Sequence, residues 1–344
     1  MNQQDTSAAL LASTLHGEKC CRVPCICPGG MMNMLTVDAM DLCETYWPEA
    51  HGDPVLMARL AAAPFTAGLF DNIGVPFCMT VEAESMGSAV DLGDRQTEPR
   101  VTAYALSSVE QWESLSPMAL DRGRAKVVLD ALSLIRTQHP QAAVIGNLTG
   151  PMSLASSLVD ANVFYKELRK KPQAAHALMD FVTDTLIAFG QAQIQAGAEF
   201  IAISDPSGTG EILGPRLFAE YALPCLNRLC QALRPLCQGV IVHICGQLRA
   251  VYPQLSQLGS DAISVDAAVN LEKLRENVPG KVIMGNVSTF ALAAGKSDTI
   301  HSLCRGCLRS GVDILAPACG LGTTTALSSI RILMETVKEA SDAN

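Results

Sequence analysis

The chain has 344 residues, 49% of them apolar and 17% charged, with a formal net charge of −9. That is ample material for a large core, and aromatics at 5% leave the packing to aliphatic side chains. An acidic chain without a lysine or arginine block is unsuited to nucleic acid, and no apolar stretch is long enough to span a bilayer.

Residues 1–21 read as a helix or arm ahead of the first strand. Asp5, Glu18 and polar runs there do not make a secretory signal. Thirteen cysteines cannot all pair, which points to a reducing cytoplasm with thiols as core residues or metal ligands.

Eight short apolar runs follow, at 22–28, 74–79, 142–147, 198–204, 239–244, 262–266, 281–286 and 313–318. They are apolar throughout rather than alternating, as parallel strands buried on both faces are. Amphipathic stretches at 120–138, 173–196, 216–237, 298–310 and 324–340 read as helices between them. Gly87, Gly93, Pro99 and mixed charges mark 81–118 as an insertion or lid. The alternation predicts an α/β fold, a (β/α)8 TIM barrel forming one domain over 1–344, with an elaborated N-terminal region.

In such a barrel the chemistry sits where strands run into βα loops. The polar residues there are Glu82 and Glu84, Asn147, Asp205, His243 with Cys245, Asp266, Asn286 and Cys319. His243 and Cys245 are two apart and face the same way, and Cys319 ends the last run. One His and two Cys suit zinc, and three protein ligands with one open position is the catalytic pattern. Asp266 is the candidate for the fourth position, with Asp205 and Glu82 behind it. Glu82, Asn147, Asp205 and Asn286 are the candidate cofactor-binding residues.

Other signals are discounted. His301, Cys304 and Cys307 fall on one face of an outer helix and read as packing. Gly208, Gly210 and Gly214 lack the spacing of a dinucleotide loop. Met31, Met32 and Met34 read as gap-filling core.

Several segments together carry a family resemblance: Pro28-Gly29-Gly30, His51-Gly52-Asp53-Pro54, the run from Pro76 to Glu84, Thr149-Gly150-Pro151, Asp205-Pro206, His243-Ile244-Cys245-Gly246, Gly285-Asn286-Val287 and Pro317-Ala318-Cys319-Gly320. Over about 22–340 the chain resembles the uroporphyrinogen decarboxylase superfamily, and within it the zinc-dependent methylcobamide:coenzyme M methyltransferases. The resemblance implies a (β/α)8 barrel with Zn2+ held by His243, Cys245 and Cys319. It implies transfer of a methyl group from a methylcorrinoid to a zinc-activated thiol such as coenzyme M. Two cysteinates and a neutral imidazole cancel the charge of the ion, so an added thiolate keeps its electron density. The chain has no D-x-H-x-x-G corrinoid-binding segment, so the corrinoid is expected on a separate, transiently bound corrinoid protein.

The porphyrin decarboxylases carry an Arg-Gln-Ala-Gly-Arg type motif near the start. This chain reads Cys27-Pro28-Gly29-Gly30-Met31-Met32 there, which argues against porphyrin carboxylates. The competing readings are another acceptor (tetrahydrofolate or a different thiol), a non-catalytic metal- or corrinoid-binding relative, and a decarboxylase or lyase built on Asp205 and Glu82.

Overall fold

The computed structural model describes residues 6–342. Its main sheet has seven parallel strands: β1 (Asn72–Val75), β4 (Ala143–Thr149), β5 (Phe200–Ser204), β6 (Gly239–Ile244), β7 (Ala262–Val265), β8 (Val282–Val287) and β9 (Ile314–Pro317), paired in that order. A separate antiparallel hairpin is formed by β2 (Ala89–Asp91) and β3 (Arg100–Ala103). The main strands are almost entirely buried, as their unbroken apolar composition requires.

The first run, 22–28, is not a strand in this sheet. Pro24 and Pro28 have no N–H to give to a ladder. The run occupies the eighth place in another way. Cys25 bridges Leu315 of β9 in parallel, with Ile26 N donating to Leu315 O at 3.1 Å and Leu315 N to Pro24 O at 2.9 Å. On the other side Asp71 N donates to Cys25 O at 2.8 Å. Side chains then replace the missing ladder: Cys25 N donates to Asp71 Oδ2 (2.8 Å), Cys27 N to Asn72 Oδ1 (2.9 Å), and Asn72 Nδ2 to Cys27 O (2.9 Å). The segment therefore joins β1 to β9 and closes the barrel.

Gly74 makes that closure possible. A Cβ on it would lie 1.7 Å from Pro28 O, so no larger residue fits where the segment crosses β1.

The N-terminal arm contains a helix, Ser7–Leu15, capped by Thr6. Leu15 packs onto Gly239 at the start of β6, so this helix covers the end of the barrel opposite the βα loops. Residues 1–5 of the expected arm lie outside the described residues.

Helices Val37–Cys43 and Pro54–Thr66 fill the connection to β1. The second begins where Asp53 Oδ1 accepts from Val55 N and Leu56 N, with Pro54 at its first position. The helix expected over 216–237 begins just after Gly214-Pro215, as read, but is not regular throughout. Gly214, at φ 64°, kinks the element Gly210–Leu217, a π-turn spans Phe218–Ala222, and a straight helix runs only over Leu223–Leu233.

The stretch 81–118 holds a short helix, Val81–Ser85, then the β2–β3 hairpin and a 3₁₀ turn over Val109–Ser114. Its hairpin tip is tied to the loop after β9, with Thr323 Oγ1 donating to Gln96 O at 2.8 Å. Among the described residues no helix is long and apolar enough to cross a membrane. All thirteen cysteines are free thiols.

Candidate metal centre

His243 lies near the end of β6, and Cys245 just beyond it. Parallel pairing sets His243 beside Ser264 of β7, and Cys319 follows β9 across the mouth. One ligand atom from each of His243, Cys245 and Cys319 lies within 4.8 Å of the others, the one such group among the described residues. His243 Nε2 is 3.0 Å from Cys245 Sγ, which is 3.5 Å from Cys319 Sγ. These positions come from two strand ends of a packed barrel, so the donors converge before any ion arrives.

The orientation of His243 is also fixed. Nδ1 lies 3.0 Å from Ser264 Oγ, and Ser264 Oγ donates to Met32 Sδ at 3.4 Å. With its proton committed to Met32, the Ser264 oxygen accepts from Nδ1–H. That assigns the tautomer whose Nε2 lone pair faces the two sulfurs. The two cysteines hydrogen-bond to each other through their sulfurs. Cys319 is pushed down to about 5, chiefly by its hydrogen bond with Cys245 and further by His243. The same hydrogen bond, then burial and the charges of Cys319 and Asp266, push Cys245 up. A borderline-soft cation that accepts thiolates would displace the proton of that hydrogen bond, so the donor set fits zinc.

Asp266 stands outside the cluster. Its Oδ1 accepts from Ala268 N at 2.8 Å and closes the turn after β7. The candidate cofactor-binding residues lie at or near other strand ends, each with partners inside the barrel. Glu82 is buried and accepts from Thr149 N (2.8 Å) and Thr149 Oγ1 (3.0 Å); burial pushes its carboxyl up. Asp205 is buried and accepts from Met152 N, Ser153 N and Ser153 Oγ, holding the start of helix Pro151–Leu158; burial pushes it up too. Asn147 Nδ2 donates to Pro28 O (2.8 Å) and Val75 O (3.2 Å), tying the closing segment to the sheet. Its Oδ1 has no hydrogen-bond partner among the described residues. Asn286 Nδ2 donates to the carbonyls of Asp266 and Val269.

Sequence reasoning missed two further groups. Ser264 is a serine inside an apolar strand, a pattern that only the register with His243 makes meaningful. Glu98 comes from the hairpin loop and lines a cavity of about 480 Å³ with Met31, Gln96, Cys319 and Thr323; Asn33 Nδ2 donates to its carboxylate at 2.9 Å. Long-range folding of 81–118 brings it there, and no local spacing announces it. Met32 and Met34 are core residues, while Met31 faces this cavity. Cys304 and Cys307 are buried packing residues, and His301 Nδ1 lies 3.2 Å from Thr336 Oγ1.

The profile of the uroporphyrinogen decarboxylase (URO-D) family matches residues 6–340. The methylcobamide:CoM methyltransferase MtbA of Methanosarcina acetivorans is 31% identical over 319 residues, covering 92% of this chain and 93% of that protein. The methylcobamide:CoM methyltransferase MtaA of Methanosarcina barkeri is 30% identical over 333 residues, covering 94% and 95%. A methyltransferase from Methanosarcina mazei superposes with a TM-score of 0.91 at 30% identity, covering 97% of this chain and 99% of the other. The chain belongs to the uroporphyrinogen decarboxylase (URO-D) family.

Proposed function

We propose that the protein is a methyltransferase that moves a methyl group from a methylated corrinoid to a thiol such as coenzyme M. The observation that carries this reading is the convergence of His243, Cys245 and Cys319 within 4.8 Å at the barrel mouth. The relatives named as methylcobamide:CoM methyltransferases align over more than nine-tenths of the chain and support it.

A zinc ion in this set would bind the acceptor's sulfur and hold it as thiolate at neutral pH. The chain's own residues prepare that site. Ser264 orients the imidazole, and the low proton affinity of Cys319 favours a thiolate donor. Asp266, on the adjacent strand end, would supply the fourth ligand when no acceptor is bound, after turning from Ala268. Glu82, Asn147, Asp205 and Asn286 act on the cofactor indirectly, by fixing the loops that frame the mouth.

In the transfer, a sulfur lone pair forms the S–CH3 bond and the Co–C bond breaks. The electron pair stays on cobalt, giving a methyl thioether and Co(I) corrinoid. The corrinoid arrives on a separate protein that docks transiently, and the reaction belongs to cytoplasmic one-carbon metabolism.

The test is anaerobic incubation of the zinc-loaded protein with methylcobalamin and a panel of thiols, followed by absorbance. Loss of the methylcobalamin spectrum with growth of Co(I) is the expected result. No demethylation with any thiol would overturn the reading.

A further inference from the structure

Two exposed apolar side chains lie on segments that follow strands β5 and β8, at the same end of the barrel as the ligand cluster. Phe290 is 88% exposed and Ile212 is 48% exposed. Phe290 sits on the short helix Thr289–Ala294, directly after β8. The last residue of β8, Val287, accepts at 2.8 Å from the backbone N–H of Ala318, and Ala318 precedes Cys319. Phe290 is three positions after Val287, a Cα–Cα reach of at most about 11 Å. Ile212 follows Glu211, whose Oε2 lies 3.0 Å from where a Cβ on Gly246 would stand, and Gly246 follows Cys245. Each residue thus belongs to a segment tied to the neighbour of one of the two cysteines. The exposed Leu236, by contrast, precedes β6 at the far end of the barrel.

The transfer itself dictates what approaches this rim. Attack in line with the Co–C bond sets the corrin plane across the sulfur–methyl–cobalt axis. A flat macrocycle in that orientation spans the mouth and cannot follow the thiol into a barrel whose interior is filled by side chains. Its faces and methyl edges are apolar, and its peripheral carboxamides donate hydrogen bonds. The rim offers apolar side chains from two sides and the carboxylates of Glu211 and Asp266 as acceptors beside Cys245.

We infer that Ile212 and Phe290 form the landing surface for the corrin macrocycle. The inference rests on the methyl transfer proposed above and adds which side chains receive the donor. An aromatic side chain left in water at this end of the barrel loses apolar exposure only when the donor is seated, so its burial contributes to donor binding.

The experiment measures KM for free methylcobalamin, with one fixed thiol, in Phe290→Ser, Ile212→Ser and, as a control at the other end of the barrel, Leu236→Ser. The first two are expected to raise KM about tenfold each. Their zinc content and kcat should stay within about twofold of the parent, and the control should change nothing. A KM within about twofold of the parent in both rim variants overturns the inference. Equilibrium dialysis of methylcobalamin against the same proteins separates this outcome from failure of the function itself. If no thiol is methylated, the function falls. The landing surface then stands if both rim variants bind methylcobalamin more weakly, and falls if they bind it equally.

Discussion

The hydrogen-bond chain from His243 Nδ1 through Ser264 Oγ to Met32 Sδ makes the serine more than core filler. Without Ser264 the ring loses the acceptor that holds Nδ1–H and the tautomer with it. Ser264→Ala is expected to weaken zinc binding by about 10- to 100-fold while leaving the fold intact. Competition with a zinc-binding dye measures this, and unchanged affinity would refute the orienting role. His51 is kept neutral in a different way, by burial. It is fully buried between Trp47 and Phe77, each with ring centroid 5.4 Å away, and burial, then the charge of Arg124, pushes it down to about 3. The unfolded chain would protonate this ring near pH 6.5, so between about 6.5 and about 3 the unfolded state binds the extra proton. His51 therefore costs nothing above that window and destabilises the fold by roughly 1.4 kcal/mol per pH unit on descending through it. His51→Leu should flatten the fall of stability over that range relative to the parent, read from urea midpoints against pH. Parallel curves would contradict it. At this scale the three ligand candidates were legible because two sit on one strand face and the third ends a run. Asp266 was legible only as a polar residue at a strand end, and its hydrogen bond to Ala268 N could not be read from spacing.

The closing segment 24–27 shows why one element escaped sequence reading. Its apolar residues fit a buried strand, yet the prolines at 24 and 28 remove donors, and Asp71 and Asn72 supply side-chain bonds instead. Asp71 is nearly buried, accepts from Arg22 Nη1 and Nη2 at 2.7 and 2.6 Å, and also accepts from Cys25 N. Removing it leaves a partly buried guanidinium without its counter-charge, bonded only to Val23 O, and a buried N–H without an acceptor. Asp71→Ala is expected to cost about 3 kcal/mol. Urea unfolding would show it, and a loss below about 1 kcal/mol would mean that the segment is held by packing alone. The six runs from 142 onward lie within about two residues of the observed strands because long buried parallel strands have a strong signature. Gly214-Pro215 marked the start of the helix expected over 216–237, and the kink lies there; the helical residues Gly210–Leu213 before it and the π-turn after it carry no local signal.

At the scale of the molecule, seven strands and one bonded segment place every candidate site residue at or near one end of a single barrel, with the Ser7–Leu15 helix covering the other. That arrangement was legible in outline from the β/α alternation. The hairpin that carries Glu98 to the mouth was not, since its contacts span more than sixty residues of chain. A rigid rim built from strands distant in sequence explains how three donors can converge without a dedicated metal-binding loop. The account stands on those three donors holding one ion together. The direct measurement is zinc content per chain in the purified protein and in His243→Ala, Cys245→Ser and Cys319→Ser. The account predicts about one zinc in the parent and less than about a tenth in each variant. Full zinc retained by all three would contradict it.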